Sequence, residues 1–286
     1  MSCGVGVVMV TRDRRTRALA SLDRLAELPE RPPVVVVDNG SADGTSAAVA
    51  RRHPDACVIE LGRNAGAAAR TVGARALDTP LVAFSDDDSW WEPGALERAA
   101  RLFAERPTLG LVQARILVGP QQRLDPTCEA MRTSAVPTPS QLPGPAVMGF
   151  VACGAVVRRE PFLAAGGFHP RLEIGGEEEL LALDLAAAGW ELAYVDEVVA
   201  HHHPAPGERG SRSALVLRNA LWVTWLRHRA PAAAGRTAAL AAEALRGGQA
   251  RALLEALRGL PWVLRERRPL PASVERAALA ARRSPG

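Results

Sequence analysis

The sequence predicts an α/β protein in which a mostly parallel sheet is sandwiched by helices and followed by a C-terminal helical extension. Two observations support this prediction. Over residues 1–118, short apolar runs rich in β-branched residues alternate with stretches of helical periodicity, which is typical of repeated β-α units. Beyond residue 203 the pattern is helical throughout. The length of 286 residues, the hydrophobic share of 48% and the mean hydropathy of -0.01 describe a globular chain and exclude disorder, collagen and coiled coil.

The first half of the chain supplies most of the predicted sheet. Ser41, Asp43 and Thr45 offer capping oxygens to the second helix, and Pro93 suits the first turn of the fourth. Residues 119–148 hold six prolines and no periodic pattern, so we expect a functional loop there. The predicted strands are 5–11, 34–38, 57–61, 81–85 and 109–118, and the predicted helices are 15–28, 43–53, 66–78 and 93–106.

Regular structure returns after residue 148. The predicted strands are 152–158 and 191–195, and the predicted helices are one after Arg159 and those at 177–188, 212–229, 235–246, 249–265 and 271–283. The predicted organisation is a domain at 1–210, with halves at 1–118 and 119–210, followed by a helical extension at 211–286. Ligands of such sheets bind at the carboxyl ends of the strands, so the candidate functional residues are expected there.

Charge is distributed unevenly along the chain. All 35 basic residues are arginines, because the sequence contains no lysine, and 31 acidic residues leave a formal net charge of +4. Residues 1–203 carry 20 arginines against 26 acidic residues, whereas residues 204–286 carry 15 against 5. An acidic body with a basic tail indicates two separate roles.

The cysteines and the chain start bear on the cellular compartment. Cys3, Cys57, Cys128 and Cys153 are far apart and form no C-x-x-C pair, so neither a disulfide framework nor a zinc knuckle is predicted. The sequence shows neither a signal peptide nor a run of about 18 apolar residues. We therefore expect a cytoplasmic protein with no nucleic-acid partner.

Three consecutive carboxylates, Asp86, Asp87 and Asp88, follow the predicted strand 81–85. Like charges this close repel one another unless solvent or a cation compensates them, and a strand end places Asp86 and Asp88 on the same side. Oxygen ligands of this kind suit Mg²⁺ or Mn²⁺ carrying a phosphate group. An acidic turn that caps the following helix is the alternative interpretation.

A second acidic cluster, Glu177 to Glu179, opens a predicted helix behind two glycines. The helix dipole favours carboxylates in a first turn, which alone explains one or two of them. A carboxyl whose pKa is raised by its neighbours would make a general base.

A histidine run, His201, His202 and His203, follows a strand-like stretch. Alternation along an extended chain puts His201 and His203 on one face and His202 on the other. Because imidazole binds transition metals such as Mn²⁺ and interacts well with diphosphate, a functional role is favoured over a structural one.

The segment DNGSADGT at 38–45 ends the second strand. Its glycines permit a tight turn, and Asp38 can accept hydrogen bonds from a ribose or a base. The chain has no Walker loop and no G-x-G-x-x-G after the first strand, so phosphate must be bound differently. We therefore predict that the phosphate is bound through a metal ion held by Asp86 to Asp88.

Taken in order, these segments resemble the family 2 glycosyltransferases of the GT-A fold, especially bacterial rhamnosyltransferase-like members, over roughly residues 4–228. DNGSADGT is similar to the family's D-N/D-G/S-S-x-D-G-S/T motif, and TRDR at 11–14 is similar to its opening strand end. The match continues with G-x-N-x-G at 62–66, the DxD motif at 86–88 with Pro-Gly at 93–94, and the G-E-E helix from 176 with Gly-Trp at 189–190.

The resemblance implies a nucleotide-sugar donor, UDP-, dTDP- or GDP-linked, and a saccharide or lipid-linked acceptor of cell-envelope type. Asp88 would hold a divalent metal, Mn²⁺ or Mg²⁺, with His201 or His203 completing the site. Donor-binding residues implied by the resemblance are Thr11, Arg12, Asp38, Asn64, Asp86 and Asp87.

Glu178 falls at the position of the family's catalytic carboxylate, with Glu177 as the near alternative. The implied reaction is metal-assisted hexosyl or rhamnosyl transfer with inversion, in which this carboxylate takes the proton of the acceptor hydroxyl.

Three other functions are consistent with parts of the sequence. A haloacid-dehalogenase-like enzyme would need a later lysine, which this chain lacks, and a sugar nucleotidylyltransferase would want a glycine-rich basic loop after its first strand. A non-catalytic binding or membrane-surface scaffold on a degenerate GT-A fold is the alternative from another class. It gains weight from the basic tail, whose leucines and arginines recur at helical spacing. Such helices most often cover the apolar surface of their own protein, and peripheral contact with the inner face of the cell membrane is our hypothesis for this one. The intact acidic and histidine clusters argue against degeneracy.

Overall fold

Valine-rich runs at the start of the chain form the central strands of one mixed sheet. The computed structural model describes residues 4–204 and 213–282, and all statements below concern this part of the chain. Its strands are β1 (Val5–Thr11), β2 (Val34–Asp38), β3 (Cys57–Glu60), β4 (Leu81–Asp86), β5 (Ser89–Trp91), β6 (Leu109–Val118), β7 (Arg123–Leu124), β8 (Ala155–Arg158) and β9 (Glu191–His202).

The described strands are ordered β3-β2-β1-β4-β8-β6-β9-β5, with β7 on β6. The first four of that order run parallel, as do β6 and β9. Strand β8 is antiparallel to both β4 and β6, and β5 is antiparallel to β9. The carboxyl ends of β1, β2 and β4 therefore meet at one edge, where a parallel α/β sheet binds ligands.

Helices cover the sheet and extend beyond it. They are α1 (Arg15–Ala26), α2 (Thr45–Arg52), α3 (Ala69–Ala76), α4 (Ala95–Glu105), α5 (Pro126–Arg132), α6 (Arg159–Ala164), α7 (Glu177–Ala187), α8 (Ser213–Arg227), α9 (Ala230–Arg246), α10 (Ala250–Arg265) and α11 (Ala272–Ala281). Two 3₁₀ turns, Gly66–Ala68 and Ala152–Gly154, lie near strand ends.

Two large apolar cores, and one small cluster among α8, α9 and α10, stabilise the fold. The larger lies around the sheet, where Val7, Val8 and Phe84 are fully buried, and burial of each such side chain stabilises the fold by roughly 1.5–3 kcal/mol. The smaller core joins the C-terminal helices to the body, because Leu180 and Leu183 of α7 pack with residues of α8 and α10. The helical extension is thus packed against α7.

The predicted α/β class with a C-terminal helical extension is confirmed, and the first five predicted strands lie within a residue of those observed. The prediction of 119–148 as a patternless loop is wrong in part, because β7 and α5 form there, with Asp125 accepting a hydrogen bond from the backbone N–H of Thr127 to cap α5. The strand predicted at 191–195 continues to His202 after a register shift. The predicted domain boundary at 210/211 lies outside the described residues.

No helix in the described ranges 4–204 and 213–282 is long and apolar enough to cross a bilayer.

Candidate active site

The ends of β1, β2 and β4 bring the sequence-predicted residues to one edge of the sheet. Thr11 is in register with Asp38 across β1 and β2, and Val10 is in register with Asp86 across β1 and β4. Parallel pairing therefore brings three separate sequence segments together at a common site.

Asp38 is buried at the end of β2 and shapes the loop that follows it. Its Oδ1 accepts a hydrogen bond from the backbone N–H of Ser41 at 2.7 Å, and its Oδ2 accepts one from the hydroxyl of Ser46. The neighbouring Asn39 joins this loop to the next, because its Oδ1 accepts from the Ala65 N–H at 2.7 Å and its Nδ2 donates to the Gly66 carbonyl at 3.1 Å. Two loops at the strand ends are thereby fixed to each other.

Asn64 is exposed in the second of these loops, where its Oδ1 accepts a hydrogen bond from the Gly66 N–H at 2.9 Å. Gly66 has φ +58°, and a Cβ there would come within 2.5 Å of the Glu173 carbonyl oxygen. The requirement for glycine comes from this close approach as well as from the backbone angle. The loop thus contacts the segment that leads into α7.

Thr11 and Asp87 lie below the surface of the site. The Thr11 hydroxyl donates to Asp87 Oδ2 at 3.0 Å, and the Ser21 hydroxyl donates to the Asp87 carbonyl at 3.0 Å. Burial raises the pKa of Asp87 to about 7, against the lowering effect of Arg14. These contacts hold α1 against the strand end, and the donor contacts expected of Thr11 and Asp87 stay a prediction. Arg12, in contrast, is exposed beside them.

Asp88 lies among cationic side chains. Its Oδ2 is 3.5 Å from Arg14 Nη1 and 3.4 Å from Arg17 Nη1, and its Oδ1 is 3.3 Å from His202 Nε2. Burial alone would lower the pKa of His202, yet the hydrogen bond with Asp88 and the charges of Asp88 and Asp86 raise it above its ordinary value. His202 and Asp88 are therefore in direct contact at the end of β9.

The histidine run alternates as predicted, but its ligand face is the opposite one. Pairing of β5 with β9 places Trp90 beside His201, and the Trp90 ring stacks on His201 at a centroid distance of 5.4 Å and meets His203 edge-on at 4.7 Å. His202 is the histidine that reaches the carboxylates. The expectation that His201 or His203 completes a metal site with Asp88 is corrected accordingly.

The donor set at this point fits a divalent cation. A carboxylate oxygen of Asp86, the Cys153 sulfur and a ring nitrogen of His202 all lie within 4.8 Å of one another, and Asp88 adjoins the same imidazole. Two carboxylates and an imidazole are ligands that Mn²⁺ accepts, and Mg²⁺ accepts the carboxylates. Burial raises the pKa of the Cys153 thiol well above its ordinary value. Since Mn²⁺ and Mg²⁺ prefer harder donors than sulfur, the oxygen and nitrogen atoms are the natural ligands.

Arg70, on α3, is a site residue that the sequence reasoning missed. Its guanidinium forms an ion pair with Asp86, and although burial opposes the charge, the carboxylates of Asp86, Glu178 and Glu177 raise its pKa. Nothing in the sequence distinguishes Arg70 from other helical arginines. Its position four residues after Gly66 is the one available signal, because the Gly66 loop leads straight into α3.

The three glutamates that open α7 have three different environments. Glu177 is 5% exposed, and burial raises its pKa. Glu178 accepts a hydrogen bond from the Ala152 N–H at 2.6 Å, and burial together with the charge of Glu177 raises its pKa to about 8. Glu179 pairs with Arg236 at 2.9 Å and with Arg282. Glu179 thus joins α7 to α9 and α11, while Glu177 and Glu178 face the site.

The 3₁₀ turn Ala152–Gly154 joins the two halves of the site. The N–H of its first residue binds Glu178, and the sulfur of its second, Cys153, adjoins Asp86 and His202. A proton acceptor and an acidic cluster are therefore held around one turn, an arrangement suited to binding an anionic, metal-bound ligand beside a nucleophilic hydroxyl.

Asn219, on α8, fixes the approach to α7 from the helical extension. It is fully buried, and its Nδ2 donates to the carbonyls of Leu172, Ile174 and Gly175. The two glycines before α7 have φ of +84° and +87°. Sequence reasoning also missed Asn219, because its partners lie more than forty residues away.

Comparisons with known proteins show the family of this chain. The family model described as glycosyl transferase family 2 matches residues 6–164. The chain is 28% identical over 226 residues to an N-acetylglucosaminyl-diphospho-decaprenol L-rhamnosyltransferase of Mycobacterium tuberculosis, covering 66% of this chain and 71% of that protein.

Solved structures resemble the whole fold. One is a mannosyltransferase from Pyrobaculum calidifontis in complex with GDP-Man and Mn²⁺, with a TM-score of 0.59, 22% identity, and coverage of 99% of this chain and 88% of that one. Another is S. aureus TarS 1-349 in complex with UDP-GlcNAc, with a TM-score of 0.61, 18% identity, and coverage of 77% and 66%.

The fold is therefore that of a GT-A glycosyltransferase. The chain belongs to glycosyl transferase family 2 and is similar to a rhamnosyltransferase within it.

Proposed function

We propose that the protein transfers a hexosyl or rhamnosyl group to a lipid-linked saccharide with inversion, with Glu178 as the general base and a divalent cation at the acidic cluster. The observation that supports this most is the arrangement around Ala152–Gly154, which holds Glu178 next to Asp86 and His202. The acceptor hydroxyl and the donor diphosphate would then meet at a single turn.

The raised pKa of Glu178 suits the role of a general base. A general base works best when its pKa lies near the operating pH, and the pKa of Glu178 is raised to about 8 by burial and by Glu177. The acceptor oxygen forms a bond to the anomeric carbon as the bond from that carbon to the diphosphate breaks, and the hydroxyl proton passes to Glu178. Since one displacement occurs at that carbon, its configuration inverts.

The donor site would combine Asp38 and its loop with the strand end of β4. Asp86 is half-buried at the end of β4, while Thr11 and Asp87 are buried and bonded to each other. Arg12 and Asn64 are exposed at the same edge of the sheet and would contact the nucleotide or the sugar. Asp86, Asp88 and His202 would hold Mn²⁺ or Mg²⁺, which when bound would neutralise the charge of the departing nucleoside diphosphate.

The name of the mycobacterial relative suggests the acceptor class. That protein acts on a decaprenol-linked diphospho-sugar, so we infer a polyprenyl-diphosphate-linked saccharide here and a cytoplasmic enzyme that works at the inner face of the membrane.

A thermal-shift screen tests the donor proposal. Full-length protein is heated with UDP-, dTDP- or GDP-sugars, each with Mn²⁺ or with EDTA. One nucleotide class should raise the Tm with Mn²⁺ only, because a ligand at a hundred times its Kd stabilises the native state by about 2.7 kcal/mol. Asp88→Ala should abolish the shift, whereas Asp55→Ala, a change to an exposed carboxylate on another loop, should retain it. Absence of stabilisation by all three classes would contradict the proposal.

A further inference from the structure

An apolar groove opens between α8, α9 and α10, away from the candidate active site. Its volume is about 510 Å³, and its lining includes Leu221, Trp225, Ala241, Leu253, Leu257 and Leu264. The indole N–H groups around it are already bonded within the protein, Trp222 to the Ala256 carbonyl at 3.0 Å and Trp225 to the Thr237 hydroxyl at 2.9 Å. The groove therefore suits an apolar occupant, since its walls offer little to a polar one.

Beside the groove, α10 presents large apolar side chains to solvent. Leu254, Leu257 and Leu264 are 57%, 59% and 56% exposed and share one side of the helix. The sequence pattern alone would place such leucines against the body, but the buried face of α10 is formed by other residues, including Ala256 and Val263. A continuous exposed apolar face of this kind marks an interaction surface.

A strip of arginines runs along the same helix. Arg251, Arg258 and Arg265 recur every seven residues, are exposed, and follow the leucines around the helix at 100° per residue. They belong to the segment 204–286, which contains 15 arginines and 5 glutamates. An exposed apolar strip flanked by arginines is complementary to a surface that is anionic outside and apolar within.

We propose that α10 docks on an anionic lipid bilayer, with its three exposed leucines inserted among the acyl chains, the groove receiving part of a lipid chain, and its arginines at the phosphates. The position of α10 at the membrane would also fix the position of the active site, because α10 packs on α8 and α8 packs on α7, which carries Glu178. Docking would orient the site toward the lipid-linked acceptor of the proposed function, on which only this last consequence rests.

Vesicle co-sedimentation of the full-length protein tests the docking. The vesicles are equimolar phosphatidylcholine and phosphatidylglycerol, with phosphatidylcholine alone for comparison. Wild type should bind the anionic vesicles, less so at high salt. The double variant Leu257→Gln/Leu264→Gln should bind at least about tenfold more weakly, and Arg258→Glu at least about fivefold. Leu279→Gln on α11 and Arg51→Glu on α2 are exposed controls and should bind like wild type.

Three results would overturn the docking. One is wild type that stays in the supernatant with anionic vesicles. Another is a leucine double variant with wild-type binding and an unchanged melting temperature. The last is an apolar face that instead holds two copies together, seen as a wild-type dimer in solution that the double variant converts to a monomer without loss of vesicle binding. Transfer to a soluble acceptor analogue, measured in parallel, separates failure of docking from failure of the proposed reaction.

Discussion

The Nε2 atom of His202 lies 3.3 Å from the Oδ1 atom of Asp88, while His201 stacks on Trp90 on the opposite face of β9. Of the three consecutive histidines, His202 is therefore the one that lies beside the acidic cluster. This contact also makes the imidazole a bridge between Asp88 and Asp86, whose charges raise its pKa against the effect of burial.

His202→Ala should therefore weaken Mn²⁺ binding at least about tenfold, whereas His201→Ala should leave it within about twofold. The affinity is measured by calorimetry in the presence of the nucleoside diphosphate that stabilises the protein in the thermal-shift screen. A larger loss in His201→Ala than in His202→Ala would mean that the face of β9 is assigned incorrectly.

The dependence of the reaction rate on pH reports on Glu178. A general base must be ionised to act, and the pKa of Glu178 is raised to about 8 by burial and by Glu177. The value of kcat/KM should accordingly fall about tenfold for each pH unit below that point, until the neighbouring Glu177 begins to titrate. A profile that is flat from the ordinary carboxyl range upward would exclude a base with a raised pKa.

The titration of Glu178 should also make the stability of the protein depend on pH in a definite direction. Between the ordinary value of 4.5 and about 8, folded Glu178 keeps a proton that the unfolded chain releases, so stability falls as pH rises through this window. Glu178→Gln removes the titrating group and keeps an oxygen for the Ala152 N–H. In EDTA, its melting temperature should therefore exceed that of wild type above pH 8 by more than at pH 5. An equal difference at both pH values would contradict burial of the charge.

Asn219 should be essential for the position of α7. Asn219→Asp keeps the shape of the side chain but replaces the donor to three carbonyls with an acceptor, which should destabilise the fold by about 2 kcal/mol or more and lower kcat. The matched change Gln121→Glu, at an exposed amide, should alter neither. Denaturant unfolding and transfer assays measure the two effects, and a stable, fully active Asn219→Asp protein would refute this role.

Local patterns predicted the sheet well, because β1 and β4 are continuous apolar runs with turn residues at their ends, and such runs leave little choice of structure. They failed where partners distant in sequence decide. The strand predicted to end at residue 195 continues because β6 pairs with it as far as His202. The segment after β6 was expected to be irregular, although Pro126 stands at the start of α5, where proline is tolerated.

The candidate site shows the same division. Asp38, Asp86, Asp88 and Glu178 follow strand ends or open a helix, so motif and position were enough to find them. Which histidine faces the carboxylates depends on the pairing of β5 with β9, which places Trp90 against His201. Arg70 and Asn219 act through contacts that only the folded chain brings together; the one local signal for Arg70 is its position after the Gly66 loop, and Asn219 has no such signal.

A variant that lacks the general base but still binds the donor tests the proposed role of Glu178 most directly. Donor binding and sugar transfer to a short-chain polyprenyl-diphosphate-linked N-acetylglucosamine are measured for wild type, Glu178→Gln and the paired-carboxylate control Glu179→Gln. Wild type should transfer, and Glu178→Gln should bind the donor normally and lose transfer at least about a hundredfold. Glu179→Gln should transfer at the wild-type rate once the rate is corrected for the fraction of folded protein. A Glu178→Gln protein that transfers at the wild-type rate would contradict the assignment of the base.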